Sequence, residues 1–256
     1  MSQAEWRSTT AHHHTSHLDP ADLAWEFLRR NPDYQAFYGA QSGNPDRKID
    51  AAARRWGLRF LADPSYAAHE AGVLWHPDEL AWVIILAPRK GQHRGESFVV
   101  DDWLMSLPCR HSDDGTHVLL RDGHTRYQIH LTTRPRHGVV RVALMPLDIT
   151  TPSRSHATHK FWDYAARGHR RPRFTGISRL ERLKMALRAL DLRLAGATYR
   201  AIAEALFGTL PADAPPWKTA AIRDTVIRLV RTGLRMMRGG YRRLLGPGKA
   251  DTASPT

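Results

Sequence analysis

Nearly all of the net charge of this chain lies in its C-terminal third, on segments with a helical pattern. From Lys160 to Lys249 there are 20 lysine and arginine residues against 6 acidic ones, while the full 256-residue chain has a net charge of +13. The rest of the chain is therefore close to neutral. A neutral body joined to a basic helical end is typical of proteins in which one region binds a polyanion and another has a separate task.

Composition restricts the class of protein. Hydrophobic residues make up 42% of the chain, which is enough for buried cores. A single cysteine, Cys109, excludes an internal disulfide framework and favours a reducing compartment. The most apolar stretch, 81–88, is too short to span a bilayer, and no secretory signal opens the chain. We therefore expect a cytoplasmic, nucleoid-associated protein without a membrane partner.

Turn residues and changes in composition divide the chain into six segments. We predict an α+β protein with a disordered tail (1–17), an N-terminal helical module (18–65), a small antiparallel strand-rich domain (66–150), a basic linker (151–175), an all-α helix-turn-helix variant (176–247) and a second disordered tail (248–256). The basic run of the linker is either a phosphate-contacting arm or a solvated connection.

Local signals place elements in the first half. Asp19-Pro20 predicts a helix start, Asn31-Pro32-Asp33 predicts its break, and a second helix is expected over 49–61. Strands are expected at 73–75, 81–86, 97–100, 117–121, 125–132 and 138–144. Asp122-Gly123 predicts a hairpin. Because apolar and polar residues alternate over 125–132, we expect one face of this strand to be wet.

Three helices are predicted in the basic region. Leucines recur at spacings of three and four over 180–194, Thr198 is a suitable N-cap for a short helix to Phe207, and a long helix runs from 217 or 218 to about 238. This order is typical of a helix-turn-helix domain. The intervening segment, 208–216, is longer than the usual turn of about 3–4 residues, so we expect a variant.

The long helix separates apolar from basic residues. At about 100° per residue, five positions fall on an arc about 80° wide: Ile222, Val226, Leu229, Gly233 and Met237. Four arginines cluster on roughly the opposite face: Arg228, Arg231, Arg235 and Arg238. We expect the first face to be core and the second to contact double-stranded DNA. The alternative is a solvated basic face on an ordinary helical bundle.

The candidate DNA-binding residues fall into groups by their place in the motif. The candidates for reading base edges lie at the start of the long helix: Lys218, Thr219, Arg223 and Asp224. The four distal arginines are candidates for phosphate contacts. Tyr199 and Arg200, at the start of the short helix, are candidates for backbone contacts.

Several segments resemble the FseA-like transcriptional regulators of proteobacterial integrative and conjugative elements, a group long catalogued as a domain of unknown function. The similar segments are LAGATYRAIAEALFG (194–208), WKT (217–219), IRD (222–224), RLV (228–230), MRGGYR (237–242) and, near the N-terminus, WEFLRRNPDY (25–34). The resemblance covers about 20–40 and 180–245. In the middle region only length and order correspond.

The resemblance implies a helix-turn-helix variant that activates excision and transfer genes and is held in check by a small antiactivator protein. The basic positions it carries over are Lys218, Arg223, Arg228 and Arg242. RNA polymerase is a further expected partner if the tryptophans of the middle region form an exposed patch; core packing is the alternative for Trp75, Trp82 and Trp103.

Enzymatic and metal-binding interpretations have less support. Five histidines occur at intervals of six to seven residues, which is not ligand spacing on one helix or turn: His111, His117, His124, His130 and His137. The pairs Asp101-Asp102 and Asp113-Asp114 lie in expected loops, where adjacent carboxylates rarely converge. We predict no catalytic residue, metal or cofactor. The rival functions are a protein-binding regulator of the antiactivator type and an accessory enzyme of DNA recombination.

Overall fold

A computed structural model describes residues 18–41, 52–89, 99–123, 125–167, 177–208, 217 and 221–246. Over these residues the chain has eight α-helices, two 3-10 helices and one five-stranded sheet, in agreement with the predicted α+β class. It divides into two compact units, which we call the helical unit (Met1–Ala40, Asp63–His69 and Phe174–Leu244) and the sheet unit (Gln41–Ala62, Glu70–Arg173 and Leu245–Thr256). Both predicted tails lie outside the described residues.

The helices are α1 (Pro20–Leu28), α2 (Pro32–Gln41), α3 (Ala68–Ala71), α4 (Asp101–Leu104), α5 (Thr151–Arg167), α6 (Ile177–Leu194), α7 (Tyr199–Phe207) and α8 (Ala221–Met237), with 3-10 helices at Arg54–Trp56 and Gly240–Leu244. The strands are β1 (Ile84–Pro88), β2 (Cys109–Ser112), β3 (Gly115–Asp122), β4 (Thr125–Leu131) and β5 (Arg141–Leu144).

The start of α1 and the break after it are as predicted. The Asp19 carboxylate accepts a hydrogen bond from the Asp22 amide at 2.7 Å, and Pro20 is the first helical residue. The helix expected over 49–61 is confirmed only at residues 52–56, and the prediction is wrong from Gly57 onward. The 3-10 helix Arg54–Trp56 ends at Gly57, whose positive φ of 79° stops the helix, and Leu58 then forms an isolated β-bridge with Trp75.

The predicted N-terminal module is divided between the two units: its residues up to Ala40 and from Asp63 onward belong to the helical unit, whereas Gln41–Ala62 belong to the sheet unit. All residues of α1 after Pro20 are buried, so this helix needs partners on every side. The side-chain amide of Asn31 donates a hydrogen bond to the backbone carbonyl of Met237 at 3.1 Å, at the C-terminal end of α8. Arg30 pairs with Asp191 of α6, with 2.9 Å between Nη2 and Oδ2. The residues directly after α1 therefore connect it to both long C-terminal helices, α6 and α8.

Glu26 is the buried centre of this packing. It accepts from Arg29 at 2.7 Å, from Arg30 at 2.6 Å and from the Ala68 amide at 2.9 Å. Burial by itself would raise the pKa of Glu26, but the guanidinium groups of Arg30 and Arg29 outweigh it and hold that pKa below its ordinary value. Glu26 is therefore the ionised partner that both arginines need.

The sheet has the order β2-β3-β4-β1-β5. The hairpin predicted at Asp122-Gly123 joins β3 to β4, with Asp122 opposite Thr125. The expected all-antiparallel sheet is wrong, because β1 runs parallel to β4, with Ile84 opposite Ile129. The segment expected as a strand over 73–75 forms only the bridge to Leu58, and residues 99–100 precede α4. The edge strand β2 was not predicted.

Both faces of β4 are buried, which corrects the expectation of a wet face. Ile129 and Leu131 enter an apolar core, while Gln128 on the other face is only 1% exposed. The Gln128 side chain accepts from the Trp75 amide at 3.0 Å, and Arg126 donates to the Val73 carbonyl. The polar residues are thus buried because a neighbouring segment satisfies their hydrogen bonds.

The predicted linker is helical over α5, and its remaining residues, 168–175, lie outside the described ones. Phe161 is buried in the sheet core, and Tyr164 and Ala157 pack around it. Arg154 donates to the carbonyls of Val83 at 3.1 Å and Pro77 at 2.6 Å. Contacts with the sheet stabilise this helix, whose many polar residues made it look like a connecting segment.

Candidate nucleic-acid interface

Helix α8 is held by one apolar face, as predicted. Val226 is fully buried, and Leu229, Gly233 and Met237 are buried on the same side. Ile222 is half-buried against the same core. The close approach to α6 depends on Gly233, because a Cβ there would lie 2.7 Å from the Ala186 carbonyl oxygen. This packing fixes which face of α8 points outward.

The short helix α7 completes the core. Thr198 caps it, accepting from the Ala201 amide at 3.2 Å, and Ile202 and Ala203 are fully buried between α6 and α8. Phe207 is its last residue, and Gly208 follows with a φ of 90°. The prediction of a short capped helix from Thr198 to Phe207 is confirmed. Because residues 209–216 and 218–220 lie outside the described ranges, a helix-turn-helix arrangement remains a prediction.

The arginine row consists of the four predicted phosphate contacts: Arg228, Arg231, Arg235 and Arg238. All four are exposed, on the side of α8 opposite the core. Within the part of the chain that the structure describes, no carboxylate forms an ion pair with any of them. Arg228 donates to the Thr225 hydroxyl at 3.3 Å. Guanidinium groups that are exposed and not neutralised remain available to phosphate oxygens.

The other predicted site residues differ in availability. Arg223 is 3.5 Å from Asp224 and has 42% of its side chain exposed, whereas Arg242 is exposed on the 3-10 helix after α8. Arg200 pairs with Glu204 at 3.2 Å, and Arg193 lies over the ring of Tyr199 at 5.3 Å. The two predicted site residues of α7, Tyr199 and Arg200, therefore already contact other residues of the protein. Lys218 and Thr219 lie outside the described residues.

The sheet unit contains a cluster of titratable side chains that was not predicted from the sequence. Asp114, His117 and His130 offer potential metal-ligand atoms within 4.8 Å of one another. The register of β3 and β4 places His117 opposite His130, and their rings stack with centroids 4.4 Å apart. The sequence signal does not give this contact, because a two-residue turn at Asp122-Gly123 would place His117 opposite Gln128, whereas in the structure Asp122 lies opposite Thr125 and the pairing is shifted by two residues.

Arg59 occupies the position that a cation would need in this cluster. Its Nη2 lies 2.5 Å from Asp114 Oδ1, and its Nε lies 3.3 Å from His117 Nε2. His130 Nε2 is 3.0 Å from the Asp114 carbonyl oxygen, so that nitrogen donates its proton and cannot bind a metal. We therefore assign no metal to these residues.

The pKa values of the cluster reflect burial and the Arg59 contact. Burial lowers the pKa of His117 to about 4, so that its ring is neutral at pH 7. Partial burial would raise the pKa of Asp114, but hydrogen bonds from Arg59, Ser112 and His117 hold it well below its usual range. The result is an ion pair beside a neutral imidazole.

The other paired carboxylates have structural partners. Asp101 is fully buried and pairs with Arg141 at 2.7 Å, while Asp102 lies 2.9 Å from His137. The two side chains bond different residues and do not converge. Of the three tryptophans, Trp75 is fully buried, whereas Trp82 and Trp103 are half-buried, and Trp103 stacks on Phe161.

Two family models match parts of the chain. Residues 144–246 match a model described as a T6SS transcription factor, DNA-binding domain, and residues 5–61 match a proteobacterial transcriptional regulator-like domain. Together they indicate a DNA-binding transcriptional regulator. The first match contains α6, α7 and α8 with the whole arginine row, and DNA is therefore the supported partner. The matched domains are regulatory rather than enzymatic.

The comparisons support only part of the predicted resemblance. A proteobacterial transcriptional regulator is supported, whereas the FseA-like group and the mobile element remain predictions. No curated protein matches the chain at a significant level. None of the described helices combines the length and apolar character needed to cross a membrane.

Proposed function

We propose that this chain is a sequence-specific DNA-binding activator of transcription in which α8 is the recognition helix of a helix-turn-helix variant. The observation that carries the proposal is the arginine row. Its four guanidinium groups lie on the exposed face of a helix whose other face is locked into a core. A rigid helix with an unneutralised cationic face suits the major groove and the phosphates that border it.

In this proposal the residues near the start of the recognition helix and those of the arginine row have different roles. Arg223, in the first turn of the recognition helix, and Lys218 and Thr219, which precede that helix in the sequence, read base edges and determine sequence preference. The arginine row and Arg242 bind phosphates and supply affinity that does not depend on sequence. Tyr199 and Arg200 contribute backbone contacts only if DNA replaces their internal partners, Arg193 and Glu204.

The target genes and partners are proposed from similarity alone. The resemblance to FseA-like regulators suggests excision and transfer genes of a mobile element, with a small antiactivator as a partner. The family model matched by residues 144–246 is described as a T6SS transcription factor, which suggests type VI secretion genes as a second class of target. RNA polymerase was expected as a partner if the tryptophans of the sheet unit formed an exposed patch, but Trp75 is fully buried and Trp82 and Trp103 are half-buried.

A binding-site selection experiment tests the proposal. The full chain is incubated with fragments of its native genome at about 150 mM salt, and bound fragments are sequenced. We expect enrichment of a defined site bound about 10³-fold or more above random duplex. A promoter carrying that site should then give higher reporter output when the protein is expressed. Equal binding to every fragment would refute sequence-specific recognition.

Arg223→Ala and Arg228→Ala form a matched pair for the two roles. Each variant removes one guanidinium from α8. Arg223→Ala should cost on the order of 1–3 kcal/mol at the selected site and much less on random duplex. Arg228→Ala should weaken both by a similar factor. If the two variants behave alike on both duplexes, base reading does not reside at Arg223.

A further inference from the structure

Beside the arginine row, the helical unit has a groove of about 380 Å³. Four arginines from three elements line it: Arg182 from α6, Arg228 and Arg235 from α8, and Arg243 from the 3-10 helix Gly240–Leu244. All four are exposed. Arg228 and Arg235 also belong to the row, so the groove and the row are one continuous cationic surface.

The tight turn at Gly240 builds one side of the groove. A Cβ on Gly240 would lie 2.8 Å from the Arg235 carbonyl oxygen, so the chain folds back against the end of α8 only because this residue has no side chain. Tyr241 and Leu244 are buried after the turn, which anchors the segment carrying Arg243. The position of Arg243 is therefore fixed by packing.

The side chains that line the groove favour anions in general and do not select one particular anion. Its floor is apolar, with Leu229, Met236 and Leu244, and its polar side chains are the four guanidiniums and the Thr232 hydroxyl. Among the described residues, no acidic side chain lines it. Nearby Glu181 is engaged by Lys184 at 2.9 Å. A pocket specific for one small molecule would hold a mixed set of donors and acceptors in fixed positions, and this groove presents mainly cationic donors.

We propose that this groove receives a sugar–phosphate strand of the bound duplex, as a second phosphate-binding surface next to the arginine row. The inference depends on the proposed DNA-binding function and adds Arg182 and Arg243 to it. Four arginines on three elements can contact successive phosphates of one strand, and sugar carbons can lie on the apolar floor. The strand would fix the domain on the duplex from the side of α6.

The test uses the full chain with Arg182→Ala and Arg243→Ala combined, a change that leaves the arginine row intact. Binding to a random 20-base-pair duplex is measured by fluorescence anisotropy over a series of KCl concentrations. We expect the slope of log K against log[KCl] to become shallower by about 1.8, or about 0.9 for each lost contact. The control combines Arg134→Ala and Arg136→Ala, two exposed arginines of the sheet unit, and should keep the wild-type slope.

Each result has one meaning once circular dichroism shows that the variants are folded. Wild-type protein that binds no duplex refutes the proposed function itself. Duplex binding with an unchanged slope in the groove variant, or an equal change in the control, overturns the groove proposal alone. A second titration uses tripolyphosphate at constant ionic strength. Saturable binding that the groove variant loses, with its duplex slope unchanged, would identify a site for free polyanions and also overturn the proposal.

Discussion

Replacing Arg228 and Arg231 with alanine should reduce the salt dependence of DNA binding. Both residues are exposed, both lie on the arginine row, and neither has an ion-pair partner among the described residues. Each can therefore displace a condensed counterion from one phosphate without first giving up an internal salt bridge. The internal hydrogen bond of this pair, from Arg228 to Thr225, is long at 3.3 Å and accessible to water.

The magnitude follows from counterion release. Each phosphate contact on B-DNA contributes about −0.9 to the slope of log K against log[salt]. Losing two contacts should make the slope shallower by about 1.8. Over a fourfold change in salt, from about 50 to about 200 mM, one contact corresponds to about a 3.5-fold change in affinity, and two contacts to about 12-fold.

Anisotropy titrations with a random 20-base-pair duplex measure this slope directly. Arg228→Lys combined with Arg231→Lys is the matched control, since it keeps the charges and should keep most of the slope. If the alanine variant has the wild-type slope, the row does not contact phosphates and the reasoning from exposure is wrong. If alanine and lysine variants lose the slope equally, guanidinium geometry rather than charge determines the contact.

Three predictions concern stability, measured by urea unfolding. Gly233→Ala should destabilise the protein by about 1–2 kcal/mol, because overpacking against Ala186 exceeds the gain in helix propensity. Glu26→Gln should cost about 3 kcal/mol, because it leaves the half-buried Arg30 guanidinium partly uncompensated. The pKa of His117 is lowered to about 4, so between pH 6.5 and 4 the unfolded chain binds a proton that the folded protein does not. Stability should fall by about 2–3 kcal/mol from pH 7 to pH 4.5.

Control variants distinguish these three effects on stability from a general loss of folding. Gly39→Ala is the match for Gly233→Ala, since it lies in α2 with nothing within 4 Å of its Cβ position, and it should be neutral or stabilising. Arg54→Ala removes an exposed ion pair with Asp78 and should change stability by less than about 1 kcal/mol. His117→Asn should show a smaller loss between pH 7 and 4.5. An equal loss would assign the acid sensitivity to other groups.

The main features of the helical unit could be read from the sequence. The leucine spacing predicted α6, Thr198 predicted the cap of α7, and the opposed faces of α8 follow from periodicity alone. Local signals were sufficient there because helices form from contacts between residues close in the chain. The arginine row was found for the same reason, since its members recur every three or four residues along one helix.

Predictions failed where distant segments meet. Helix α5 looked like a polar linker, yet the spacing of Ala157, Phe161 and Tyr164 marks a narrow apolar face that only a sheet could bury. The parallel pairing of β1 with β4 has no local signal, because the two strands are far apart in the sequence.

By itself, the sequence determined that a basic helix would expose four arginines and bury the opposite side. Only the tertiary structure decided what surrounds that helix. Asn31 and Arg30, near the other end of the chain, hold α8 and α6, and Arg182 and Arg243 join the arginine row around one groove. The periodicity of a sequence predicts which face of its helix each side chain occupies. Which other residues that side chain contacts depends on chain reversals and on packing between elements.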